Sequence, residues 1–154
     1  SANGLFIIYL SLLFSFLTWG YFVPKFSKNV SDAIRLLKFG APINLVVLAF
    51  IIYLGPKAGA FHWALFAVSS VFLSLSQPAV GMAFSLSNAG KALTSFNLLL
   101  FIGAFALQWI IGVIIDLTMN LGFSEISGFR FAMVFFLLTS LFSYLFFLTK
   151  NYKN

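Results

Sequence analysis

Few residues in this chain could act as an acid, a base or a thiol. There is one histidine, His62, and three acids, Asp32, Asp116 and Glu125; cysteine is absent. A hydrolase needs paired carboxylates, a serine with a base, or a metal cluster. This set assembles none of them, and no GxGxxG, GK[ST] or HExxH motif occurs. No catalytic residue, metal site or cofactor is expected, and the chain is not expected to be an enzyme. Without cysteine there is also no disulfide framework, so the redox compartment stays open.

The side chains that do carry information are amides and hydroxyls set among apolar residues. Ser70, Ser74, Gln77, Gly81 and Ser85 follow one another in steps of three and four, which keeps them on one face of a helix. Thr94, Asn97, Phe101, Ala104, Gln108, Gly112 and Asp116 repeat the pattern, and Ser11, Ser15 and Thr18 form a shorter stripe. Small and hydroxyl residues in such stripes serve helix packing, so Gly81, Gly103 and Gly112 are packing candidates. Gly103 and Gly112 do not form a GxxxG pair. An amide left unpaired in hydrocarbon costs several kcal/mol on cyclohexane-type scales. Gln77, Asn97 and Gln108 therefore either line a cavity or bond between helices. With Ser70 and Ser74 they are the candidates for lining a substrate cavity.

The elements that must carry these stripes are legible from the charges. Lys, Arg, Asp and Glu leave five long uncharged runs, 1–24, 39–56, 58–90, 92–115 and 131–149. A helix needs about 20 mostly apolar residues to cross the ~30 Å hydrocarbon layer. The composition is 62% hydrophobic and 8% charged, with a mean hydropathy of +1.06; an average soluble domain is roughly 45–50% apolar and about 25% charged. The fold class is accordingly all-α, a polytopic membrane bundle of five transmembrane helices in one domain. Spans are expected at about 5–23, 33–54, 61–86, 93–117 and 129–149.

Pro24 should end the first span, and Ser31 or Asp32 should cap the second. Pro78 should kink the third. The segment SNAGKA, with Gly90 and Lys91, reads as a cytoplasmic link, and TMNLGFSEISG as the longest loop. His62 reads as an interfacial residue, and Asp116 as an interfacial cap or a partner of Arg130. A first residue other than Met points to a piece of something longer, or to trimming.

Net charge is +6. In a soluble protein this would raise nucleic acid as a partner; here the cations flank apolar runs and orient the chain, so no nucleic acid is expected. Lys25, Lys28, Arg35, Lys38, Lys91, Lys150 and Lys153 fall on one side of a five-span chain, Lys57 and Arg130 on the other. Basic residues favour the cytoplasmic side. The N-terminus is therefore expected outside and the C-terminus in the cytoplasm of a cell membrane, the bacterial inner membrane in particular.

One stretch is more specific. The run AGKALTSFNLLLFIGAFALQWIIGVIID, residues 89–116, resembles the C-terminal half of major facilitator superfamily transporters. There a short cytoplasmic Ala-Gly-Arg-x-x-Thr link enters a helix with an Asn and then a Gly-Ala-Phe-x-x-Gln-Trp-x-x-Gly run. The matching positions are Ala89, Gly90, Lys91 (in place of Arg), Thr94, Asn97, Gly103, Ala104, Phe105, Gln108, Trp109 and Gly112. The resemblance implies that the five spans are the eighth to twelfth helices of a twelve-helix carrier. It also implies that the third, fourth and first spans line a cavity or face the other half, while the second and fifth face lipid. The family's Gly-x-x-x-Asp-Arg pattern is incomplete, since Gly20, Lys25 and Lys28 are present without the Asp.

Such a carrier rocks two six-helix bundles about a central site. The resemblance thus implies a partial major facilitator fold, whose partners are the lipid bilayer, the missing N-terminal helix bundle and a small-molecule substrate. The expected function is transport of a small solute by a secondary carrier, of which this is a C-terminal fragment. The alternative is a small integral membrane scaffold or subunit packing against partner helices.

Overall fold

The computed structural model describes residues 2–150, the side chain of Pro24 excepted. Lys153 and most of the tail lie outside the described residues. Six α-helices follow one another: α1 (Ala2–Phe26), α2 (Val30–Leu54), α3 (Ala60–Ser70), α4 (Ser76–Ala83), α5 (Leu86–Asn120) and α6 (Glu125–Thr149). A 3-10 turn, Gly55–Lys57, follows α2, and a second, Val71–Leu75, joins α3 to α4 in one rod. Five of these units are long and apolar enough to cross a membrane: Ala2–Val23, Val30–Lys57, Ala60–Ala83, Leu86–Asn120 and Glu125–Thr149. No strand occurs among the described residues.

The number of spans matches the charge spacing, but several ends differ. Helix α1 continues through Pro24 to Phe26. Proline removes one hydrogen bond, yet the bond from Ser27 N to Val23 O still closes the last turn at 2.8 Å. Helix α2 begins three residues early, because Asn29 is its cap: the side chain accepts from Asp32 N at 2.9 Å. The Asp32 carboxylate in turn accepts from Lys28 N at 3.1 Å, a reciprocal arrangement close to a capping box.

The largest difference is at α5. The stretch expected as a link, Gly90 and Lys91 included, is helical from Leu86 onward. A 35-residue helix is about 52 Å long, so it overruns a ~30 Å layer; nothing compels a helix to stop where the hydrocarbon does. The expected long loop shrinks likewise to residues 121–124, its flanks being absorbed by α5 and by α6, which Ser124 caps.

Pro78 acts differently from the expected kink. Regular α structure gives way at Val71–Leu75, and Pro78 becomes the third residue of α4. The first four N–H groups of a helix have no intrahelical partner, so a proline there removes no bond.

Helix α2 is the hub. It packs on the α3–α4 rod and on α6; α5 packs on α4 and α6; α1 lies outside this ring of four against α3. The α2 pairs Gly40–Phe72, Asn44–Ser69 and Phe50–His62 run in opposite senses along the two rods, so α2 and the α3–α4 rod are antiparallel. Gly40 is buried, and any Cβ there would overlap the Phe72 ring. Trp19 of α1 meets the same ring edge to face, with centroids 4.7 Å apart.

Between α5 and α6 the close approach is at Gly128. A Cβ there would touch the Ile115 backbone at 3.4 Å, so a longer side chain would push the two helices apart. Ala132, one turn on, is fully buried. Small residues one turn apart bring membrane helices together in this way.

Candidate functional site

The α4 and α5 stripes meet. The Gln77 side chain donates from Nε2 to Asn97 Oδ1 at 2.8 Å. One turn further along α4, Gly81 lies against Leu93, whose side chain would stand 3.6 Å from a Cβ at that position. Two antiparallel contacts fix the register: the small residue sets the helix separation, and the amides bond across it.

Beyond that contact the α5 stripe is open. Every residue at 98–106 is exposed, as are Gln108 and Asp116. Among the described residues, no atom of another helix comes within 4 Å of where a Cβ would lie at Gly103 or Gly112. Ser70 and Ser74 donate to Ala67 O and Val71 O of their own rod, each at 2.7 Å. Thr94 bonds Gly90 O at 3.0 Å. Of the five cavity candidates, Gln77 and Asn97 are joined, Ser70 and Ser74 bond backwards, and Gln108 stands apart on the open face.

One concave space lies away from these stripes. A cleft of about 290 Å³ runs between the end of α1, the start of α2 and the 3-10 turn, lined by Thr18, Trp19, Phe22, Val23, Phe26, Leu36 and Phe72. Thr18 closes its hydroxyl on Phe14 O and Ser15 O, so the lining offers almost no polar group.

Two polar links in the bundle were not anticipated as such. Asn44 is 7% exposed and Ser69 5%. Asn44 Nδ2 donates to Ser69 Oγ at 2.9 Å and to Phe66 O at 3.2 Å, while Ser69 Oγ donates to Phe66 O at 2.8 Å. The lone amide of an otherwise plain α2 was the available signal. The second link is Tyr144 Oη to Lys38 O at 2.8 Å. Its only trace in sequence is Pro42, which cannot supply the N–H that Lys38 O would otherwise accept.

His62 is an end-of-helix residue. Its Nδ1 accepts from Gly59 N at 3.1 Å, which closes the first turn of α3. Among the described residues Asp116 and Arg130 form no ion pair, and both are exposed. No three His, Asp or Glu side chains gather there as metal ligands would.

Charge is divided between the ends of the bundle. With consecutive spans alternating in direction, Lys25, Lys28, Arg35, Lys38, Lys91 and Lys150 share one end, and Lys57 and Arg130 the other. Lys25 lies 4.0 Å from the Tyr21 ring centroid and Lys150 4.7 Å from that of Phe146, cation–π placements suited to an interface. Fold and surface together define an all-helical polytopic bundle of membrane type. In comparison with known proteins, the chain matches no family model, no curated protein and no solved structure.

Proposed function

We propose that this bundle is the C-terminal portion of a secondary carrier of the major facilitator type, moving a small solute across a cell membrane in concert with a further helix bundle. What supports the reading is the open face of α5. Gln108 is exposed at mid-helix, Asn97 is half-buried on the same stripe, and no other helix of the chain covers residues 98–106. Polar groups at that depth are costly against lipid and cheap against water or another helix. In this carrier the missing helices cover the α4–α5 face, and Gln77, Asn97 and Gln108 front the shared path. Rocking of one bundle against the other then exposes the path to alternate sides. The basic end faces the cytoplasm.

A second reading is favoured by the Gln77–Asn97 bond, in which two amides satisfy each other. A scaffold or subunit that only needs to hold partner helices requires no more than that.

Labelling separates the two. The chain has no cysteine, so Asn97→Cys, Gln108→Cys and Phe142→Cys each place a single thiol, the last on an outward, 72% exposed position of α6. In membranes of the cells the protein comes from, a small hydrophilic thiol reagent should modify positions 97 and 108 and spare 142. Protection of all three alike would overturn the carrier in favour of the scaffold.

A further inference from the structure

We infer that the cleft between α1, α2 and the Val71–Leu75 turn binds one acyl chain of an anionic phospholipid, whose phosphate rests on Lys25, Lys28 and Arg35. The proposal stands apart from the carrier reading and uses a different part of the molecule.

Size and chemistry select the occupant. The cleft holds about 290 Å³, near the lower end of ligand-pocket volumes. A helix about 10 Å across does not enter it, whereas an acyl chain one methylene wide does. Phe22, Phe26, Leu36 and Phe72 give that chain an apolar bed.

Charge selects the headgroup. The Lys25 ammonium stands 5.8 Å from the ring centroid of Phe22, a lining residue, and Arg35, next in sequence to the lining residue Leu36, is exposed. Lys28 is exposed on the link between α1 and α2. The acid in this segment, Asp32, is turned back to accept from Lys28 N, and among the described residues it neutralises none of the three by an ion pair. Basic pockets between membrane helices at the cytoplasmic surface suit anionic headgroups.

Trp19 reports directly on the cleft. In a Trp63→Phe/Trp109→Phe chain it is the sole tryptophan, Trp19, Trp63 and Trp109 being the three present. In phosphatidylcholine vesicles, a small fraction of dibrominated phosphatidylglycerol should quench it more than the same fraction of dibrominated phosphatidylcholine. The expected preference is roughly fivefold, the worth of a single cation near the headgroups. Lys25→Gln/Lys28→Gln/Arg35→Gln should bring the ratio to about one with helical circular dichroism unchanged. A second measurement needs no substitution: the unaltered chain, purified in mild detergent from mixed lipid, should carry one phosphatidylglycerol in native mass spectra. Equal quenching by the two brominated lipids, or retained lipid in proportion to the mixture, would overturn the proposal.

Discussion

The Tyr144 hydroxyl donates to the Lys38 carbonyl, the acceptor that Pro42 leaves without a helical donor. A proline four residues on removes the N–H that this carbonyl would bond and tilts the turn around it. A carbonyl drawn into the packed bundle still needs a donor. Here a side chain 106 residues away in sequence supplies it, so the defect in α2 becomes the site where α6 docks.

Tyr144→Phe should therefore cost about 0.5–1.5 kcal/mol of bundle stability, read from unfolding in mixed micelles. Pro42→Ala restores an N–H at position 42, so the same tyrosine change should cost much less in that background. An equal cost in both backgrounds would separate the tyrosine from the proline.

At Gly40 there is no room for a side chain. Gly40→Ala should destabilise by about 1–3 kcal/mol, as overpacking does, and should shift Trp19 emission because Phe72 touches both positions. Phe72→Ala should remove most of that cost. A neutral Gly40→Ala would mean that Phe72 can move aside freely.

The α2–α3 knot should be asymmetric. Asn44→Ala removes both of its donated bonds, and a cost of about 1–2 kcal/mol is expected, near the upper range for polar contacts between membrane helices. Ser69→Ala leaves Asn44 Nδ2 bonded to Phe66 O and should cost about half as much or less. The opposite order, measured in the same unfolding assay, would refute the assignment.

For Gln77 and Asn97, a double-mutant cycle with alanine should return a coupling of about 0.6 kcal/mol, the average for such bonds in membrane helices. Coupling near zero would show that each amide bonds a group outside the chain.

The five spans were legible because charge is too costly to place at random in lipid, so Lys25, Lys57, Lys91, Asp116 and Arg130 separate the long uncharged runs. Their ends were less so. Local capping chemistry set the start of α2 at Asn29 rather than Ser31 or Asp32, and α5 took in Gly90 and Lys91 because a helix can overrun the hydrocarbon. The polar stripes could be read from 3.6-residue periodicity, which placed Gln77 and Asn97 each on one face of its rod. That they pair, while Gln108 does not join them, depends on helix register, which no single stripe encodes. Tyr144 follows Ser140 by one turn, but its acceptor at Lys38 is a backbone carbonyl that no side-chain pattern reports, and Gly40 under Phe72 is a contact between elements that composition does not report.

The account rests on lipid being the solvent of this chain, with its basic end toward the cytoplasm. Single cysteines at Lys28, Lys57 and Lys91 in the cysteine-free background, treated in intact cells with a membrane-impermeant maleimide, test it most directly. Position 57 should be labelled, and positions 28 and 91 only after the membrane is breached. Labelling of 28 and 91 in intact cells with 57 protected would reverse the orientation, and recovery of the chain in the aqueous fraction without detergent would contradict the account altogether.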